Sequence, residues 1–168
     1  MISKKMKSKL NRQINKEFYS SYLYLSMSAW CKASGYNGAA NWFQLQHDEE
    51  RTHAFKIYNY LLDQGSKIEL LQIEQPKFIY TSLLECFEDS LEHERLMTQS
   101  FNELSDLAIK EKDHATYGLL QWFVQEQIEE ESSVSEIISR VKLVGDGNGL
   151  FMIDSELSKR SSTEQSDP

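Results

Sequence analysis

The chain of 168 residues has the length of one ordinary domain, and its 2 Pro and 7 Gly are too few for a sandwich or barrel of many short strands. Acidic residues outnumber basic ones 26 to 18, and the net charge of −8 disfavours nucleic acid and anionic membranes and favours cations. No apolar run approaches the ~20 residues of a membrane-spanning helix, and the N-terminus lacks the apolar stretch of a secretory signal. Cys31 and Cys86 match no metal or redox spacing. These features predict a reduced cytoplasmic protein.

Glycines and capping residues divide the chain into long helices. Gly35 and Gly38 flank the first break, and Gly65 ends the second helix. Ser82, followed three residues later by Glu85, resembles a capping box that opens a third helix. The sequence therefore predicts helical segments on both sides of a long, weakly periodic stretch at 66–80.

The last third of the chain contains two further breaks. A short polar break at 110–113 precedes a fourth helix, for which Asp113 is the predicted N-cap. Glycines at 145–149 end that helix, and 150–159 is predicted to form a short fifth helix. We expect one domain over residues 1–160 and a frayed polar tail at 161–168.

Connection lengths predict the topology. Short links at 35–38 and 110–113 make antiparallel helix pairs. The link between helices two and three has about fifteen residues and can reach roughly 50 Å, whereas a helix of ~27 residues is about 40 Å long. It can return along the whole bundle, so the fold class predicted is all-α: a four-helix bundle with one long crossover between helices two and three, which is a ferritin-like arrangement.

Each of the four helices places a carboxylate where the helical period calls for an apolar residue. In helices three and four the apolar seam continues on both sides of the acid. Counted from the turns at Tyr36 and Lys112, the acids also fall at one height of the bundle. The set comprises Glu17, Glu50 with His53, Glu94, and Glu130 with Gln127 one turn before it.

Buried carboxylates that crowd together must partly protonate or bind a cation. Four Glu, one His and one Gln provide many oxygen ligands and a single nitrogen. This set favours two divalent metals bridged by carboxylate over one tetrahedral zinc. The i, i+3 spacing of Glu50 and His53 lets both residues face one metal.

From about Lys5 to Lys159 the chain resembles a bacterial-type non-haem ferritin. The residues that carry the resemblance are Glu49-Glu50-Arg51-Thr52-His53, Glu92-His93-Glu94, Trp122 through Glu131, and Gly149 through Asp154. The resemblance implies that Glu17, Glu50 and His53 hold one iron, that Glu50, Glu94 and Glu130 hold a second, and that Gln127 hydrogen-bonds nearby. It also implies a third iron site at Glu49, Glu126 and Glu129 with Glu130 shared, and a tyrosine electron donor at Tyr24, which would otherwise be a core aromatic.

The resemblance further implies ferroxidase activity, in which O2 or H2O2 oxidises Fe2+ to Fe3+ and ferric mineral is stored inside a shell of twenty-four subunits. The fifth helix would line the fourfold axes of that shell. An alternative is a structural or iron-release subunit with slow oxidation of its own, and a third possibility is a monomeric four-helix binding module.

Related families fit less well. Bacterioferritins carry a second Glu-x-x-His on helix four and a haem-ligating Met in helix two, whereas this chain has Gln127-x-x-Glu130 and no Met between Gly38 and Gly65, so no haem is expected. Two distant cysteines do not form a rubredoxin segment, and mini-ferritins lack the fifth helix. The basic residues that begin the chain are predicted to be a solvated first helical turn rather than a DNA-binding tail, because Leu10 and Ile14 already follow the helical period.

Overall fold

The computed structural model describes residues 2–145 and 147–161. Within these residues the chain forms five α-helices and no strand. No helix in this part of the chain is long and apolar enough to cross a membrane. The helices are α1 (Lys4–Ala33), α2 (Asn37–Asp63), α3 (Leu83–Glu111), α4 (His114–Val144) and α5 (Asn148–Leu157).

The predicted breaks at Gly35 and Gly65 are confirmed. Both glycines have a left-handed backbone, with φ of 89° and 64°, and each follows the C-cap residue of its helix. The N–H of each glycine and the N–H of the next residue bond back to carbonyls of the last turn; after α1, Tyr36 N–H bonds to the Cys31 carbonyl at 2.9 Å. A side chain at these positions would strain the turn.

The capping predictions for α3 and α4 have different outcomes. The Ser82 and Asp113 side chains each accept a hydrogen bond from the backbone N–H three residues later, as predicted. The second half of the capping box is wrong, however. The Glu85 carboxylate accepts from the Thr81 N–H and hydroxyl instead of the Ser82 N–H, and it pairs with Lys77 from the crossover.

Side-chain contacts confirm the predicted topology. Residues 64–82 cross over without a helix or strand. Contacts between α2 and α3 advance together along both helices: Phe43 packs on Phe87 near the start of each, and Ile57 joins Phe101 further along. These two helices are therefore parallel, as the long crossover requires.

The fifth helix packs against the start of α2. It spans 148–157 rather than the predicted 150–159, because its first turn begins directly after the Gly147 backbone, whose φ is 108°. Asp154 Oδ1 accepts a hydrogen bond from Ala39 N–H at 2.8 Å. It thereby caps α2, whose own N-cap residue Tyr36 has no side-chain cap. Residue 161, the first of the predicted tail, has no regular structure, and 162–168 lie outside the described residues.

Two apolar clusters fill the bundle, one at each end. One cluster contains Tyr24, Phe43, Phe87 and Val134 and reaches α5 through Ile153. The other is built around Leu10, Ile57, Phe101 and Phe123. Between the two clusters lies a layer of buried polar side chains. The predicted interruption of the seam is thus a real layer across the middle of the core.

Candidate metal centre

Acidic side chains from all four long helices meet in this polar layer. Glu17, Glu50, Glu94 and Glu130 are at most 6% exposed, although each continues an apolar face of its helix. A charged side chain is buried only where partners or a bound ion compensate the loss of hydration. This layer is therefore the candidate functional site.

Glu17, Glu50 and His53 converge most closely. One ligand atom from each of the three lies within 4.8 Å of the others. His53 Nδ1 is 3.4 Å from Glu50 Oε2 and 3.9 Å from Glu17 Oε2. Both Oε2 atoms are fully buried and accept no hydrogen bond. Two unpartnered carboxylate oxygens beside a ring nitrogen are a donor set suited to a divalent metal ion.

Glu94 is arranged differently, because two donors already occupy its carboxylate. The Tyr24 hydroxyl donates to Oε1, and Gln127 Nε2 donates to Oε2 at 2.8 Å. The predicted hydrogen bond of Gln127 near the site is therefore present. Tyr24 is a fully buried core aromatic whose hydroxyl bonds to Glu94, and its role as an electron donor stays a prediction.

Glu130 is also held by a hydrogen bond. Gln46 Nε2 donates to Glu130 Oε2 at 2.6 Å. Among the described residues, neither Glu94 nor Glu130 belongs to a group of three ligand atoms within 4.8 Å. A second ion between Glu50, Glu94 and Glu130 would have to share these carboxylates with their hydrogen-bond donors.

Burial dominates the electrostatics of the layer. It raises the pKa of Glu17, Glu50 and Glu130 well above the ordinary range, and the charges of neighbouring carboxylates raise it further. The pKa of Glu94 is raised by burial as well, although the bonds from Tyr24 and Gln127 oppose the rise. Without metal, these groups therefore bind a proton more readily than an ordinary Glu, and a cation competes with that proton.

The predicted third site is brought together only in part. Glu49 and Glu126 place ligand atoms within 4.8 Å of His53. Glu129 is exposed and lies with Glu49, Glu126 and Glu130 on the wall of a cavity of about 640 Å³. The structure thus adds His53 to the predicted set and places Glu129 at its outer edge.

Three residues around the centre were missed from the sequence. Gln13 donates to Glu17 Oε1 at 2.7 Å, Gln46 holds Glu130, and Arg160 donates to Gln46. Gln13 precedes Glu17 by four residues, so helical spacing could have identified it, whereas Gln46 bonds to Glu130 on another helix. Arg160 gave no signal, because it lies 114 residues from Gln46.

Two other histidines and both cysteines lie outside the polar layer. His47 and His93 hydrogen-bond to Ser21 and Ser20, close to the layer but outside it. Burial lowers the pKa of His93 to about 4. Cys31 and Cys86 are buried in an apolar cluster as free thiols.

The chain is similar to known proteins over nearly its whole length. The family profile described as Ferritin-like domain matches residues 7–144. A bacterial non-heme ferritin of Staphylococcus epidermidis is 43% identical, and one of Staphylococcus aureus is 40% identical; each comparison covers 98% of this chain and 100% of the relative.

Solved structures agree with these comparisons. An open pore ferritin from the archaeon Archaeoglobus fulgidus superposes with a TM-score of 0.95 at 42% identity, covering 96% of this chain and 100% of the other. At 42% identity the two chains are similar in sequence as well as in fold, and the matched part includes the bundle, the crossover and the short fifth helix. The chain therefore belongs to the ferritin family, among the bacterial non-haem ferritins.

Proposed function

We propose that this protein stores iron and acts as a ferroxidase in the cytoplasm, oxidising two Fe2+ per subunit at the polar layer and depositing ferric mineral in a cage. The observation that carries the proposal is the pair of buried, unpartnered oxygens of Glu17 and Glu50 beside His53. Such atoms are costly unless a cation binds them. No Met lies between Gly38 and Gly65 to bind haem, and we expect no haem.

The two metal positions are proposed to be unequal. Glu17, Glu50 and His53 are already converged on one point. For the second ion, Glu94 and Glu130 must first move closer to Glu50, although hydrogen bonds from Tyr24, Gln127 and Gln46 hold them in their present orientation. The second ion therefore binds more weakly.

Iron is the reductant in the proposed reaction. Each Fe2+ gives one electron, and the two electrons, together with two protons, reduce one O2 to H2O2 or one H2O2 to two H2O. In this proposal Glu50 is a ligand of both ions, and hydrogen bonds from Gln127 and Gln46 orient the carboxylates of Glu94 and Glu130. Hydrolysis of ferric iron releases protons, and the carboxylates that lost protons to bind iron are able to accept them between turnovers.

Two further roles belong to the same proposal. Glu49, Glu126 and Glu129, with Glu130, hold a third iron at the cavity wall. Tyr24 supplies an electron when fewer than two ferrous ions are bound, since its hydroxyl contacts Glu94 directly. Freeze-quench spectroscopy after partial iron loading would detect a tyrosyl radical in wild type and none in Tyr24→Phe.

We further propose that the chain assembles as a homo-oligomeric shell of twenty-four subunits, with α5 at the fourfold axes. Exposed apolar side chains on the crossover, among them Leu70, Phe78 and Ile79, provide surface for subunit contacts. Light scattering of the native protein tests the number of subunits. A monomer would instead indicate a simple binding module.

The decisive experiment follows ferric absorbance after two ferrous ions per subunit are mixed with aerobic protein. Wild type is expected to oxidise both ions rapidly, and Glu50→Gln to lose at least ~100-fold in rate, because one change removes a ligand from both positions. Glu92→Gln, an exposed acid, is the control. A normal rate in Glu50→Gln contradicts the proposed site, and a slow wild type indicates a structural or iron-release subunit.

A further inference from the structure

Arg160, just beyond α5, reaches back to the metal centre. Its Nη1 donates to Gln46 Oε1, and its Nη2 lies 3.2 Å from Glu49 Oε2. The guanidinium carbon is 4.9 Å from the centre of the Trp42 ring. Three separate contacts, with only 22% of the side chain exposed, fix this cation in one place.

The contact with Gln46 links Arg160 to a buried ligand position. Gln46 is fully buried, and its Nε2 donates to Glu130 Oε2 at 2.6 Å while its Oε1 accepts from Arg160. Since an amide has one acceptor and one donor end, Arg160 determines which end faces Glu130. A charge on the C-terminal segment thus orients a carboxylate inside the bundle.

The contact with Glu49 places Arg160 on a carboxylate that can also bind metal. Ligand atoms of Glu49, His53 and Glu126 lie within 4.8 Å of one another. Arg160 lies on the wall of the same acidic cavity. A guanidinium and a divalent cation that bind the same carboxylate weaken each other's binding, because each neutralises the charge that attracts the other.

We propose that Arg160 is a built-in competitor of the metal ion at the Glu49 edge of the centre, so that the C-terminal segment regulates occupancy of the third site. The inference rests on the proposed third site. When a metal binds at Glu49 and Glu126, Arg160 leaves Glu49, and the segment after α5 loosens. When Arg160 is bound, Gln46 is fixed and iron is confined to the two inner positions.

The test is a calorimetric titration of metal-free assembled protein with Zn2+ alone. Arg160→Gln is expected to bind the zinc beyond two per subunit about tenfold more tightly than wild type. Lys159→Gln makes the same change of charge on the same cavity wall and is expected to change that affinity less than about twofold. In a Glu49→Gln background, Arg160→Gln is expected to have no effect, which isolates the pair from zinc bound elsewhere on the shell.

Two additional measurements separate competition from loosening of α5. Arg160→Lys keeps the charge near Glu49 and is expected to stay within about threefold of wild type. Hydrogen exchange at residues 158–161 is expected to accelerate in wild type when the third zinc binds and to be unaffected by it in Arg160→Gln. Unchanged exchange in wild type would overturn the proposal.

Other results would overturn it as well. These are equal affinity in Arg160→Gln and wild type, an equal gain in Lys159→Gln or Arg160→Lys, and the absence of a third zinc in every variant. The two tighter zinc sites report separately on the inner centre. If they persist while the third is absent, this inference fails and the proposed ferroxidase stands; if they are missing, the proposed function itself is contradicted.

Discussion

Gln13 donates a hydrogen bond from Nε2 to Oε1 of Glu17, one turn further along α1, at 2.7 Å. The bond occupies one oxygen of the carboxylate and leaves Oε2 facing His53. Gln13 is itself oriented by Ser100, whose hydroxyl donates to Gln13 Oε1 at 2.6 Å. An exposed lysine, Lys16, donates in turn to Ser100. A chain of three hydrogen bonds therefore fixes the ligand from the outer surface of the bundle.

Replacing Gln13 by Met is expected to weaken the first metal site by about tenfold, since loss of a group that orients a ligand typically costs 10–100-fold in affinity. Met keeps the volume but donates no hydrogen bond, so Glu17 loses its donor and its pKa rises further. Zinc affinity measured by calorimetry checks this, with the exposed Gln99→Met as control. Equal affinity in both variants would show that Gln13 serves packing alone.

Glu94→Gln is expected to slow iron oxidation severely while leaving the metal-free shell at least as heat-stable as wild type. Replacing one of four crowded buried carboxylates removes its repulsion with the others and the cost of burying a charge, and Gln keeps the volume so that no cavity opposes the gain. With saturating zinc the order of stability reverses, because wild type gains more binding free energy.

The measurements are thermal melts with and without zinc, beside single-turnover oxidation. Glu92→Gln, exposed and two residues away, is the control. A large loss of metal-free stability in Glu94→Gln, combined with normal oxidation, would make Glu94 a structural acid and would show the site to be misassigned.

The contribution of four buried carboxylates to the stability of the metal-free protein is expected to fall as pH rises above about 4.3, the ordinary pKa of a Glu. His93, whose pKa burial lowers to about 4, opposes this fall up to the ordinary pKa of a His, about 6.5. Glu17, Glu50, Glu94 and Glu130 have raised pKa values in the folded state. Between the ordinary and the raised pKa the folded protein binds more protons than the unfolded chain, so their contribution is present at low pH and is lost on deprotonation. Lys77 lowers the pKa of Glu85 to about 2. The stabilisation from Glu85 is therefore complete once the pH exceeds the ordinary pKa of a Glu, and it does not change the pH dependence of stability above that value.

The melting temperature of metal-free Glu94→Gln should therefore increase relative to that of wild type as pH rises from about 5 to about 8. Melts at several pH values measure this gain, and Glu92→Gln should follow wild type throughout. A difference that stays constant with pH would mean that Glu94 does not titrate in this range.

Gly38→Ala is expected to detach α5. A Cβ at Gly38 would lie 1.6 Å from the Asp154 carbonyl oxygen, a distance that only movement of the helix can relieve. We expect a loss of about 1–3 kcal/mol in stability and faster hydrogen exchange over 148–157. Gly118→Ala in α4 is the matched control, because nothing lies within 4 Å of its Cβ; it should stabilise by about 0.5–1 kcal/mol. Slow exchange in α5 of Gly38→Ala would contradict the close approach.

The helices, their breaks and the buried acids could be predicted because their signals are local. Helical period alone places Glu94 and Glu130 on faces that are otherwise apolar, and a glycine after α1 or α2 ends the helix through its own backbone. Local signals failed at the capping box of α3, where Lys77 and Thr81 from the crossover compete for Glu85.

The hydrogen bonds that orient the site depended on tertiary structure. Asp154 caps α2 across 115 residues of sequence, and Arg160 reaches Gln46 across 114. Neither residue carries a pattern of its own, since a single Asp or Arg near a chain end is ordinarily solvated. The sequence by itself determined that four acids would be buried at one level, because burial follows from period. Only the tertiary structure determined which carboxylate oxygens remain free for metal. The carboxylates and their hydrogen-bond donors come from four helices and the segment after α5, and these side chains meet only in the folded chain.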